Sequence, residues 1–363
     1  MNVAICHQGF AEGDAISNDM AGMYRLLEAF GMQVTVLCEW NSRSDKFRVA
    51  DVQSADWSSF DLIIYHHSLY WERGDQILDE AVCPLVFKYH NITPPLFFQP
   101  YSDKYAGVCR QGREQTIRFV RSTKQHTWLA DSAYNREEIV DGGADPLNVH
   151  IVPPFNRIEQ LLQAKNIADY NAETVEILFI GRLSPNKGHP HLLHIAKALT
   201  SELSGDFIIR IVGGFDPELE RYRQMLAQLV KDLDMAKHVE FRQHVSDGEL
   251  LRLFQRSHVY LSCSQHEGFC VPVIEAQALG LPVVAANIPA VGETAGLDQL
   301  LPAPPESASD YSFYAALITE LIKNERLRDR VESAGYHNVR TRFASEMVED
   351  AFAGQIYEFL SSA

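Results

Sequence analysis

Long apolar runs are missing from this 363-residue chain, and so is a basic start. No stretch of about 18 apolar residues occurs, which excludes a membrane-spanning helix. The first twenty residues carry Glu12, Asp14 and Asp19 but no Lys or Arg, so no secretory signal is expected. Cysteine is sparse and unpaired in sequence. Cys6, Cys38, Cys83, Cys109, Cys263 and Cys270 never form a Cys-x-x-Cys pair. That spacing argues for reduced thiols in a cytoplasmic protein, without structural zinc or disulfides. Positive charge is also short: 32 Lys and Arg stand against 48 Asp and Glu, a net charge of −16. Such a balance excludes a nucleic-acid binder that uses its whole surface. Neither a Gly-x-Ser-x-Gly elbow nor a Gly-Lys-Ser/Thr phosphate loop is present, which removes the usual hydrolase and P-loop readings. What remains is ordinary globular composition, 46% hydrophobic and 22% charged, and a length suited to two domains.

Short apolar runs alternate with helical patterns along the chain. Val3–Cys6, Val34–Cys38, Leu62–Tyr65, Leu85–Tyr89, Thr127–Ala130 and Val149–Val152 read as strands. Between the first two, Met20, Met23, Leu26, Leu27 and Phe30 recur at helical spacing within Ser17–Phe30. Ser132 stands where a helix N-cap belongs, just after Asp131 at a strand end. Pro153-Pro154 breaks the rhythm, and residues 155–172 are polar. Alternation then restarts with strands at Glu176–Ile180, Phe207–Val212, Val239–Arg242, Val259–Ser262 and Val283–Ala285, and helices at His189–Leu203 and Leu219–Leu233. Strands separated by helix-length connections pair in parallel. The fold class is therefore α/β, with two Rossmann-like doubly wound domains facing a cleft. The expected domains are residues 1–157, an acceptor side with the C-terminal helix 345–363 packing back on it, and residues 172–344, a donor side.

Two segments carry the chemistry. Glu267-Gly268-Phe269-Cys270-Val271-Pro272-Val273-Ile274-Glu275 follows a strand and opens a helix, with Pro272 in its first turn. Free N–H groups and the positive dipole end there suit an anionic ligand, and the two glutamates suit sugar hydroxyls. The competing reading is a capped helix with two surface glutamates. Gly181-Arg182-Leu183-Ser184-Pro185-Asn186-Lys187-Gly188 also follows a strand. An Arg fork and a Lys point charge at that edge suit a diphosphate. In isolation the segment reads as a solvated loop.

Together these segments resemble the retaining glycosyltransferases of family 4, also called glycosyl transferases group 1, which have the GT-B fold. The resemblance covers residues 174–300 well and includes Ala278-Leu279-Gly280-Leu281-Pro282-Val283-Val284 and Pro289-Ala290-Val291-Gly292-Glu293. His90-Asn91 resembles the family's active-site histidine. The resemblance implies that Arg182 and Lys187 bind the donor's diphosphate and that Glu275 binds ribose hydroxyls. It sets Glu267 and His90 against the donor sugar. Gly181, Gly268, Phe269, Cys270 and Val271 would contact donor, and His244 and Val245 would line the base pocket. Gly9 would let the first loop approach a phosphate. It implies no cofactor and no metal; the substrates are a nucleotide-diphosphate sugar, GDP-mannose or a UDP-hexose, and a hydroxyl acceptor such as a lipid-linked glycan. The setting implied is cell-surface polysaccharide or glycolipid assembly. Cys270 departs from the family's usual second glycine, and the first loop, Gln8–Asp14, lacks its paired glycines. A UDP-sugar epimerase and a non-catalytic binding subunit remain alternatives on the same scaffold.

Weaker signals point elsewhere. His66 and His67 follow the third expected strand and read first as structural or solvent-facing, with hydrogen bonding to an acceptor as the alternative. Asp232-Leu233-Asp234 lies at a helix end and reads as surface. Arg110, Arg113, Arg118, Arg121 and Lys124 form a basic cluster that reads as a solvated face or as a peripheral contact with the inner face of a membrane. Phe97, Phe98, Tyr101 and Tyr105 would line an acceptor groove or touch lipid, with at least two of them in a core.

Overall fold

The structure is a computed structural model that describes residues 1–43, 47–122, 124, 126–203, 206–243 and 245–362, with side chains in the last helix through Tyr357. The strands are β1 Asn2–Cys6, β2 Gly9–Phe10, β3 Gln33–Cys38, β4 Trp40–Asn41, β5 Val49–Asp51, β6 Leu62–His67, β7 Leu85–Tyr89, β8 Thr127–Ala130 and β9 Val149–Ile151. They continue with β10 Thr174–Ile180, β11 Asp206–Val212, β12 Val239–Arg242, β13 Val259–Ser262 and β14 Val283–Ala285. The helices are α1 Ala15–Ala29, α2 Glu72–Glu80, α3 Asp103–Val120, α4 Ala133–Asp141, α5 Ile158–Leu161, α6 His189–Glu202 and α7 Glu220–Asp232. After them come α8 Asp247–Arg256, α9 Val271–Ala278, α10 Pro289–Ala295, α11 Ala308–Lys323, α12 Glu325–Arg342 and α13 Ser345–Ser362. Among the described residues no helix is long and apolar enough to cross a membrane.

The chain divides into two compact units. The first comprises Met1–Pro95, Ala106–Asn156 and Ser345–Ala363. Its sheet has the order β5-β3-β1-β6-β7-β8-β9, parallel throughout. A sheet covered on both faces needs strands apolar on both faces, and β6 and β7 are buried at every position. Helix α1 is capped by Asp14, whose carboxylate accepts from Ser17 N at 2.9 Å. It lays Met20, Met23 and Leu27 into the core with Ile5, Val36 and Ile64, where Phe352 and Ile356 of α13 join them. The chain winds outward from β1 to β5, then restarts at β6 in the other direction. The strand order therefore reverses between β1 and β6, and the crevice at such a reversal is where ligands bind in doubly wound sheets.

The second unit comprises Leu96–Tyr105 and Arg157–Ala344. Its parallel sheet has the order β12-β11-β10-β13-β14, with the reversal between β10 and β13. Both chemistry-bearing segments leave the sheet at that point: one follows β10 and the other follows β13. Helix α9 carries Val273 and Ile274 into the core against Leu178, Tyr260 and Val283. Within Leu96–Tyr105, Phe98 is buried and stacks on Tyr105 at 4.7 Å, while Tyr101 meets the edge of Tyr222 at 4.9 Å.

Strand β6 runs two residues further than the apolar pattern Leu62–Tyr65 indicates. His66 and His67 pair with Lys88 and Tyr89 of β7 and are buried. They belong to the sheet, and one ring nitrogen of each finds a partner within the unit, His66 Nδ1 on His90 and His67 Nε2 on Thr116 of α3.

Candidate functional site

In the second unit, backbone hydrogen bonds pin the loop after β10 to its neighbours. Gly181 N donates to Val212 O at 2.9 Å, Leu183 N to Gly214 O at 2.8 Å and Gly213 N to Arg242 O at 3.0 Å. Gly213 is required by this packing, since a Cβ there would sit 2.0 Å from Gly181 O. A Cβ on Gly181 would itself meet the Phe179 ring at 2.9 Å. Pro185–Lys187 forms one tight turn, closed by Gly188 at φ 68° and ψ 28°, a left-handed conformation that glycine adopts without penalty.

Asn186 stitches this loop to the one after β13. Its backbone O accepts from Gln265 N at 2.8 Å and its Nδ2 donates to His266 O at 3.0 Å. The result is direct contact between the two segments: Lys187 Nζ lies 2.7 Å and 2.8 Å from the two carboxylate oxygens of Glu267. Both side chains are largely buried, 19% and 9% exposed, so each charge depends on the other for compensation. Arg182 is exposed and has no hydrogen-bond or ion-pair partner among the described residues. It is a cation free to meet a ligand beside a Lys–Glu pair that is already formed.

Helix α9 begins at Val271, with Pro272 in its first turn and Cys270 as N-cap. Cys270 has φ 78° and ψ 63°. This left-handed geometry costs an L-residue about 1–2 kcal/mol, and it explains why glycine suits the position. The thiol is buried and its pKa is pushed up by that burial, so it is a packed hydrophobe and not a nucleophile. Phe269 is buried against the edge of Phe343 at 5.3 Å, and its carbonyl accepts from Thr294 Oγ1 at 2.5 Å. Gly268 and Val271 are half-buried, and Val245 packs at the margin of the same core. His244 lies outside the described residues.

Glu275 sits one turn inside α9 and is buried. Burial pushes its carboxyl pKa up, and Arg157 opposes that rise. Arg157 Nε lies 2.6 Å from Glu275 Oε1, and its Nη1 lies 3.4 Å from Asp247. Sequence reasoning missed Arg157, because 118 residues separate it from Glu275 and an Arg in a polar stretch has the look of a solvated one.

The first unit holds a second constellation at the carboxyl ends of its strands. Lys88, fully buried in β7, lies 2.6 Å from Asp131 Oδ1 and donates to Val152 O. His90 Nδ1 lies 2.9 Å from Asp131 Oδ2, and its Nε2 lies 2.8 Å from His66 Nδ1. A carboxylate accepts only, so His90 Nδ1 carries a proton, and a further proton lies between His90 Nε2 and His66 Nδ1. Asp19 Oδ1 accepts from Phe155 N at 2.7 Å, while its Oδ2 stands 3.8 Å from His66 and 3.7 Å from His90 without a hydrogen bond. Burial pushes the Asp19 carboxyl up against the pull of Lys88 and His90. At Asp131 burial also pushes upward, but His90 and Lys88 outweigh it and hold that carboxyl down. Burial holds His66 well below the ordinary histidine value. His67 is bonded to Thr116 Oγ1 at 2.8 Å and is lowered to about 3 by burial. The warning sign in the sequence was Lys88, one charge inside an otherwise apolar strand.

Asp19, His66 and His90 place three donor atoms within 4.8 Å of one another, the spacing of metal ligands. The two ring nitrogens, however, are aimed at each other. Their bond is 2.8 Å, with ring centroids 5.1 Å apart and planes at 20°. One lone pair is directed at the other ring's proton and not at a common centre, so this is a proton-sharing set.

Gly9 lies in the short β2–β4 pair, where the atoms that come close are those of the Trp40 indole; a Cβ there would sit 2.1 Å from it. The basic cluster is largely spent on internal partners. Arg113 pairs with Glu138 at 2.5 Å, Arg118 with Asp75 at 3.0 Å, and Lys124 donates to Ala81 O at 3.2 Å. Arg110 and Arg121 are exposed. Asp232 ends α7 on the surface, with Gln228 donating to it at 2.7 Å.

Residues 163–338 match the model of the family described as glycosyl transferases group 1. Among curated proteins, a D-inositol 3-phosphate glycosyltransferase of Streptomyces bingchenggensis is 29% identical over 244 residues, covering 63% of this chain and 52% of that protein. The chain spans about half the length of the first curated relatives it matches. Among solved structures, Anabaena Alr3699/HepE in complex with UDP and glucose superposes over all of both chains with a TM-score of 0.74 at 17% identity. Sucrose-phosphate synthase from Thermosynechococcus elongatus does so with a TM-score of 0.78 at 15% identity. These likenesses concern the fold, and they agree with two parallel Rossmann-like units. Residues 163–338 are thus similar to the glycosyl transferases group 1 family, on a chain with the GT-B fold.

Proposed function

We propose that the chain is a retaining glycosyltransferase that moves a hexose from a nucleotide-diphosphate sugar to a hydroxyl acceptor without a metal. The observation that carries this reading is the Lys187–Glu267 pair, held at 2.7 Å where the strand order reverses, with the free cation Arg182 on the same loop. With a donor bound, Lys187 would exchange Glu267 for diphosphate oxygens and Arg182 would join it. Glu267, released, would accept from hydroxyls of the sugar. Glu275 would accept from the ribose, Val245 and His244 would flank the base, and the backbone from Gly268 to Val271 would supply N–H groups.

In this reading the bond between the anomeric carbon and the diphosphate oxygen breaks as the acceptor oxygen bonds to that carbon on the same face. The diphosphate oxygen takes the acceptor's proton. Glu267, once released, is occupied in this reading by the sugar's hydroxyls and not placed as a nucleophile, which favours this same-face course over a covalent glycosyl intermediate. Catalysis then rests on charge stabilisation of the leaving group by Arg182, Lys187 and helix N–H groups. His90, set against the donor sugar by the same resemblance, would have to exchange its His66 partner for a sugar hydroxyl.

The test is thermal unfolding against UDP, GDP and their sugars, followed by transfer from the stabilising donor to polyol-phosphate and lipid-linked acceptors. A ligand at 100 times its Kd adds about 2.7 kcal/mol, which is several degrees for units of this size. A shift selective for one base, with diphosphate released only when acceptor is present, is the expected result. No shift with any nucleotide would overturn the proposal.

A further inference from the structure

The donor-side carboxylate Glu275 does not stand alone. Arg157 Nε holds Glu275 Oε1 at 2.6 Å, and no described residue donates to Oε2. The guanidinium is 27% exposed and leans with Nη1 toward Asp247, itself 85% exposed. A buried carboxylate with one oxygen clamped and the other open is a pre-oriented acceptor.

We propose that Arg157 is the positioning residue of the donor site, fixing Glu275 through Oε1 so that Oε2 is presented, ionised, to a pair of vicinal hydroxyls. This deepens the transferase reading and rests on it for the identity of those hydroxyls. The physical need is plain. The groups that bear on Glu275 from the surrounding elements are Arg157, Asp247 at the start of α8, and Cys270 and Tyr260, whose ionisation Glu275 opposes. Arg157 is the single cation among them. Burial and Asp247 both favour the protonated carboxyl, and only Arg157 works against them. Without it the carboxyl would hold its proton to higher pH, and a protonated oxygen is a poor acceptor.

Arg157→Gln removes the charge and keeps much of the stem; Arg157→Lys keeps the charge and loses the Nε geometry. UDP and GDP binding is measured for wild type and both variants from pH 6 to pH 9. Wild-type affinity is expected to be nearly level. Arg157→Gln is expected to bind at least tenfold more weakly at pH 6 and to recover as pH rises, because Glu275 then ionises unaided. Arg157→Lys is expected to lie between them. A second readout needs no nucleotide. In Arg157→Gln the carboxyl is raised in the folded state, so the melting temperature should fall further below wild type as pH rises from 5 to 8. Parallel binding profiles, or a pH-independent gap in melting temperature, overturn the positioning role. If wild type binds neither nucleotide while the melting gap grows with pH, the clamp stands and it is the transferase reading that fails.

Discussion

Replacing Cys270 by glycine and by alanine puts the left-handed turn before α9 to a quantitative test. At φ 78° and ψ 63° a side chain costs about 1–2 kcal/mol. Glycine removes that cost but gives back about 0.5–1 kcal/mol through the greater freedom of the unfolded chain. It also forfeits the burial of a small side chain that is 7% exposed, worth about 1 kcal/mol. Cys270→Gly should therefore lie within about 1 kcal/mol of wild type. Cys270→Ala keeps the strain and loses the sulfur, so it should be less stable than the glycine variant by about 0.5–1 kcal/mol. Cys270→Val adds β-branching at positive φ and should be the worst of the three. For a unit of this size 1 kcal/mol moves the melting temperature by about 2–4 °C, which calorimetry resolves. The order matters more than the values. At an ordinary position entering a helix alanine equals or beats glycine, so a finding that alanine is the more stable variant refutes the conformational argument. The same burial that fills this space keeps the thiol protonated, and the native protein should leave Cys270 unmodified by iodoacetamide at neutral pH while the unfolded chain reacts.

Arg182→Ala and Lys187→Ala should each lower kcat by about a hundredfold or more; steady-state kinetics with the identified donor decides it, and full activity in both would end the proposed role. Gly188→Ala should destabilise the second unit strongly, since its φ of 68° is joined by a Cβ that would sit 2.0 Å from Cys263 O; a melting temperature within a degree of wild type would contradict it. Asp131→Asn leaves Lys88 buried with the Val152 carbonyl and a distant Asp19, and should cost about 3–5 kcal/mol in urea unfolding. Glu332 is raised to about 7 by burial. A carboxyl raised in the folded state holds its proton there while the unfolded chain releases it, so stability falls as pH climbs from about 4.5 through 7. Glu332→Gln should flatten that decline and be the more stable protein at pH 8.

How far the site was legible follows from the range of the forces involved. The alternation of strands and helices is a local pattern, and the parallel sheets follow from it because parallel pairing needs long crossovers. The two motif loops were legible for the same reason: glycine, proline and the cations lie within a few residues of a strand end. What the pattern did not carry is pairing across the fold. Nothing near Lys187 announces that Glu267 will neutralise it, and nothing near Arg157 points to Glu275. His66 and His67 show the converse failure. Imidazoles next to an apolar run read as the start of a loop, yet β6 continues through them, because His90 and Thr116 satisfy one ring nitrogen of each from inside the unit. A buried charge or imidazole is tolerated only when its partner is built elsewhere in the chain. The residues that break their local pattern, Lys88 in β7 and Cys270 in a glycine's conformation, are therefore the ones whose sequence context already signalled that something distant had to compensate them.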